Sequence, residues 1–298
     1  MGPWFDRSGR LSVLRIAVLC GLAAPAAWIA AGLAFGTLGA EPVKGALHLA
    51  GLWAIRLLFV TFAISPLSAA MGWTRLFDVR RMIGVAAFAY AAAHFALFAV
   101  DQKLDLAKVA SEIVLRFYLA IGFAALVGLA ALAATSSDRA VRAMGRNWQR
   151  LHRAAYGIGL LAAVHFFIQS KANVAEPLMM LGFYVWLMAA RLPLFDRSRG
   201  RAARRRAAGL LRFAAAGAGA VALTALAEAG WFAFKFGAAG LRVLPTNLTG
   251  EAGTRPAWGV ALALGLVLAV KAAQWLRGRS PGPPTRTKDG AADRIGAA

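Results

Sequence analysis

RRMIGVAAFAYAAAHFALFAVD, residues 80–101, opens on two arginines, runs without a charge from Met82 to Val100 and closes on Asp101. At ~1.5 Å per residue, such a run covers the ~30 Å of hydrocarbon in a bilayer. Its one imidazole, His94, stands about 20 Å from the arginine end. An ionisable side chain at that depth is costly in lipid, so it tends to face the interior of a bundle and to have a task there.

Comparable blocks recur along the 298 residues, of which 60% are hydrophobic and 16% charged. Apolar blocks of this length, rather than short periodic stripes, mark a polytopic membrane protein. The expected fold is all-α, a transmembrane helical bundle with spans near 15–36, 46–66, 82–100, 113–134, 152–170, 176–195, 210–234 and 256–276. The first block runs through Trp28, Ile29, Leu33 and Phe35, beyond the length of a signal-peptide core, and reads as a retained span.

A formal net charge of +21 would suggest nucleic acid in a water-soluble chain. Here the basic residues gather in the loops on one side of the membrane, as the positive-inside rule requires, so no nucleic-acid partner is needed. The expected topology is multi-pass with both termini cytosolic. Five regions follow: a cytosolic segment and first helix (1–45), a core (46–195), an Arg-rich cytosolic linker (196–209), a C-terminal pair of spans (210–276) and a disordered tail (277–298). No internal repeat is evident.

His165 repeats the placement of His94: it lies 13 residues beyond His152 in the Arg150–Arg153 cluster, at a matching depth in a helix of opposite direction. Two neutral imidazoles facing each other at one level can hold a haem iron from both sides. Cys20 is the single cysteine, so there is no Cys-x-x-Cys-His for covalent attachment, and the haem would be b-type. The competing reading makes both histidines polar glue between helices.

His152 begins its span between Arg150 and Arg153 and is a candidate for a second haem near the inner surface. It lies about 140° round an ideal helix from His165, and Arg80 and Arg81 occupy the level where its partner would stand. His48, at the outer start of the second span, is a candidate substitute ligand or hydrogen-bond donor. Arg56, inside that span, is a candidate partner for a haem propionate, a flavin phosphate or a quinone oxygen. No Gly-rich phosphate loop is present, so reducing equivalents are expected from another protein or a membrane-soluble donor.

Several motifs in order carry a family resemblance: Arg80 to Phe95 with Asp101; His48-Leu49-Ala50-Gly51; Arg56 through Ser65-Pro66-Leu67; Arg116-Phe117-Tyr118 with Gly122; Thr135-Ser136; Gly145 through Arg153 with Tyr156; His165-Phe166 with Lys171. Over residues 46–195 the chain resembles the MsrQ (YedZ) family within the ferric-reductase-like transmembrane superfamily. The resemblance implies a six-helix core, with two C-terminal transmembrane helices beyond the family's usual end. It implies a bacterial inner-membrane subunit carrying haem b and flavin mononucleotide (FMN), with His94 and His165 as haem ligands and His152 as the third family histidine. The implied donors are the quinone pool or a cytosolic flavin reductase, and the implied acceptor is a periplasmic molybdoenzyme that reduces methionine sulfoxide. Two rival readings are a free-standing ferric reductase and a transporter or structural membrane protein without redox function.

Overall fold

The computed structural model describes residues 4–5, 9–171, 173–192, 202–249 and 255–277. Among them are eleven α-helices and no strand: α1 (Val13–Ala34), α2 (Pro42–Met71), α3 (Phe77–Asp101), α4 (Leu106–Leu115), α5 (Phe117–Ala134), α6 (Asp138–Met144), α7 (Arg146–Gln169), α8 (Ala175–Ala189), α9 (Ala202–Phe236), α10 (Val243–Thr249) and α11 (Pro256–Arg277). Helices α1, α2, α3, α5, α7, α9 and α11 are long and apolar enough to cross a membrane.

The sixth expected span, 176–195, is helical over only the 15 residues of α8. That is about 22 Å, short of a bilayer's hydrocarbon. Both ends of α8 are tied by charge. Glu176 in its first turn takes Arg56 of α2, and Arg191 just past its last turn donates to the carbonyls of Leu187 and Phe62.

The span expected over 113–134 is two helices. Asp105 caps α4, its carboxylate accepting from the Lys108 amide at 3.0 Å. The backbone of Arg116 is extended (φ −108°, ψ 103°), which ends α4 and lets α5 start in a new direction. The Arg-rich linker is helical in its second part. From Ala202 onward it is the beginning of α9, a 35-residue helix, because alanine and arginine are strong helix formers. Residues 196–201 and the tail from 278 lie outside the described residues.

Helix α2 is the hub. It packs against α1, α3, α7, α8 and α9, and its buried positions, from Ala46 through Phe62 to Met71, form the spine of the core. The C-terminal pair closes against α8. Trp186 donates from its indole nitrogen to the Phe213 carbonyl at 2.9 Å, with the two rings 4.8 Å apart, and Gly217 leaves room for that indole. Small residues at such crossings let helices approach where lipid supplies no hydrophobic drive.

Candidate functional site

At the end of the bundle away from Arg80, Arg81, Arg150 and Arg153, α2, α3, α5 and α7 enclose a cavity of about 890 Å³, within the range of sites that engulf a large organic ligand. Its depth is apolar, with Leu52, Leu58, Phe95, Phe123, Leu129 and Phe166 among the lining. Its mouth is polar, with Lys44, His48, Asp101, Lys108, Arg116 and Lys171.

His94 projects into the cavity from α3 and His165 from α7. The Nδ1 of His94 lies 2.8 Å from the Leu47 carbonyl oxygen, and that of His165 lies 2.7 Å from the Tyr118 carbonyl oxygen. A carbonyl only accepts, so each Nδ1 carries the proton and each Nε2 keeps a free lone pair. The ring centres are 6.3 Å apart with planes at 77°. Two metal–imidazole bonds of about 2 Å, with each Nε2 about 1.1 Å from its ring centre, span nearly that distance.

Each ring also lies against a glycine one turn beyond its carbonyl. A Cβ on Gly51 would stand 2.8 Å from Nδ1 of His94, and one on Gly122 would stand 2.7 Å from Nδ1 of His165. In both halves the histidine follows its carbonyl by 47 residues. Carbonyl, glycine and histidine therefore form a unit used twice, once by α2 and α3 and once by α5 and α7. That is the repeat the sequence reading missed. Its signal is sparse: Gly51 and Gly122 precede their histidines at one common spacing among helices of otherwise interchangeable apolar residues.

Among the described residues no group of three or more His, Cys, Asp or Glu side chains could hold a bare metal ion. An opposed pair of imidazoles suits instead a metal that brings its own equatorial ligands, as an iron porphyrin does. The amphipathic cavity fits such a group, an apolar ring with carboxylates at one edge.

The other candidates divide. His48 is exposed on the rim of the cavity. Arg56 is absent from the lining. It pairs with Glu176 and lies over the Trp53 ring at 5.3 Å, which ties α2 to α8 and gives the guanidinium a partner within the protein. His152 is also outside the cavity. Its Nε2 meets Thr135 Oγ1 at 3.1 Å, and its ring stacks on Trp148 at 4.0 Å. Thr135 Oγ1 donates to the Ala131 carbonyl at 2.8 Å, so it accepts from His152, and that Nε2 is protonated.

No second imidazole opposes His152 there. Arg81 pairs with Asp138 at 2.7 Å. The space between this end and the cavity is filled by Phe59, Phe62, Tyr156 and Tyr184, with successive ring centres 5.6–6.0 Å apart. Phe62 packs so closely on Gly159 that a Cβ there would lie 2.5 Å from its ring.

Two opposed histidines on separate helices of a transmembrane bundle are the arrangement of a membrane cytochrome, and residues 50–163 match the ferric reductase like transmembrane component family. The protein-methionine-sulfoxide reductase heme-binding subunit MsrQ of Xanthomonas campestris pv. campestris is 41% identical over 156 residues, 52% of this chain and 72% of its own. That of Rhodospirillum rubrum is 37% identical over 201 residues, 66% of this chain and 94% of its own. The chain belongs to the MsrQ family. No solved structure matches it.

Proposed function

We propose that this chain is the b-type cytochrome subunit of a methionine sulfoxide reductase system. It carries electrons across the bacterial inner membrane from a quinol or a cytosolic flavin donor to a periplasmic molybdenum-dependent reductase. The observation that carries the reading is the His94–His165 pair, with both Nε2 lone pairs free and the rings one imidazole–metal–imidazole span apart. When bound, haem b supplies one-electron chemistry between ferric and ferrous iron.

The residues supply the rest. His94 and His165 would hold the haem iron through their free Nε2 lone pairs. The Leu47 and Tyr118 carbonyls fix their tautomer and orientation and raise the basicity of the ligating nitrogens. Phe95, Phe123 and Phe166 exclude water from the site and so favour the less charged oxidation state. His48 on the rim is a polar neighbour rather than a ligand, and His152 belongs to the electron-entry end. Family resemblance alone supports FMN as a second cofactor, the identity of the donor and the molybdoenzyme as acceptor. The positive-inside distribution of Lys and Arg supports cytosolic termini.

The test is a reconstituted electron transfer. In proteoliposomes supplied with a quinol, the reduced haem band should be reoxidised by methionine sulfoxide only when the molybdoenzyme is present. Rapid reduction of ferric chelates without transfer to the molybdoenzyme would favour a free-standing ferric reductase. A colourless preparation would return the histidines to helix packing.

A further inference from the structure

The charges at the mouth of the cavity fall into partnered groups and two exceptions. Arg116 is bound to Glu112, Lys44 to Glu41 at 2.6 Å, and Glu176 to Arg56. Asp101 accepts from the Gln102 amide at 3.0 Å. Lys108 and Lys171 line the same cavity, and neither ammonium has an acidic partner among the described residues.

The two lysines reach the mouth from different elements. At 100° per residue, Lys108, Val109 and Glu112 share the side of α4 that faces the bundle, while Leu106, Ala110 and Val114 share the other. Leu106 and Val114 are 71% and 80% exposed, an apolar face that suits lipid. Helix α4 thus lies between bilayer and cavity with Lys108 directed inward. Lys171 ends the turn that follows α7, its backbone left-handed at φ 45°. It stands about 9 Å beyond His165 along that helix axis.

We propose that Lys108 and Lys171 are the binding residues for the two propionate carboxylates of the macrocycle held by His94 and His165. This rests on the haem reading above. The apolar depth accepts the ring but no charge, so the carboxylates belong at the polar mouth, where these are the two lining cations not already paired. An ammonium beside each propionate slows departure of the group. It also raises the midpoint potential, because a nearby positive charge favours the reduced, less positive iron.

The test uses the detergent-purified holoprotein without any partner. Haem transfer to excess apomyoglobin and the midpoint potential are measured for wild type, Lys108→Gln, Lys171→Gln and the double variant. The low-spin spectrum should persist, while transfer should be about fivefold faster for each lysine removed, the effect of a partly exposed ion pair. The potential should fall with each change, and Lys108→Arg and Lys171→Arg should restore both readings. Lys271→Gln, the same loss of charge on α11, should change neither.

If the double variant retains haem with unchanged transfer rate and potential, the lysine assignment is overturned and the histidine pair stands. If the double variant leaves both readings unchanged and, in a second assay with the molybdoenzyme added, is slowed only in electron transfer to it, the lysines serve a protein partner and the proposal fails. If the wild-type chain binds no haem, the proposal falls together with the reading beneath it.

Discussion

His94 and His165 face each other across the cavity with ring centres 6.3 Å apart and planes at 77°, each tethered at Nδ1 to a carbonyl of the neighbouring helix. His48 is on the rim of the same cavity, and His152 lies beyond an aromatic cluster. His94→Ala and His165→Ala should each lose nearly all low-spin haem, read as haem per chain and as the reduced absorption spectrum. Wild-type haem content in both variants would remove the pair from the site.

The angle between the rings has its own consequence. Imidazole planes close to perpendicular leave the ferric iron's two d orbitals of π symmetry nearly equal in energy, which makes a low-spin signal strongly anisotropic. Electron paramagnetic resonance of the oxidised protein should show a single dominant low-field feature. A well-resolved rhombic spectrum with three moderate g values would mean nearly parallel rings and contradict this geometry.

Gly51 and Gly122 are predicted to be intolerant of a methyl group. Overpacking of this kind costs about 1–3 kcal/mol, and here it falls on the ligating rings. Gly51→Ala and Gly122→Ala should lower haem content and shift the low-spin resonance. Gly21→Ala, where a Cβ meets nothing within 4 Å, should leave both as in wild type. Equal behaviour of all three would show that the close approach does not position the histidines.

His152→Phe should keep the haem stoichiometry. The change removes one bond to Thr135, at a cost of about 1 kcal/mol in thermal stability, and leaves the cavity untouched. A drop of about half in haem per chain would instead establish a second haem at the Arg-rich end.

The Arg56–Glu176 pair predicts a thermodynamic cycle. Arg56→Gln leaves a carboxylate in a poorly solvated position and Glu176→Gln leaves a guanidinium there, so each single change should lower thermal stability more than half as much as the double change does. Simple additivity in the melting temperatures would mean that the two side chains act independently.

Much of this was legible because lipid imposes one rule on every span. Uninterrupted apolar runs gave the helices, and two imagined depths of about 20 Å brought His94 and His165 to one level. What stayed hidden depended on side-chain direction and local breaks. Arg116 splits one expected span into α4 and α5 through its extended backbone, which no apolar count registers. Arg56 looked free because Glu176 is remote in sequence. The doubled unit of carbonyl, glycine and histidine was obscured because one of its parts is a backbone atom and another a residue without a side chain.

The measurement closest to the central claim is the haem content of the detergent-purified chain, with oxidised and dithionite-reduced spectra. Close to one low-spin b haem per chain is expected, lost when either His94 or His165 is replaced. A chain that takes up no haem even on reconstitution, or one that keeps it without both histidines, would contradict it.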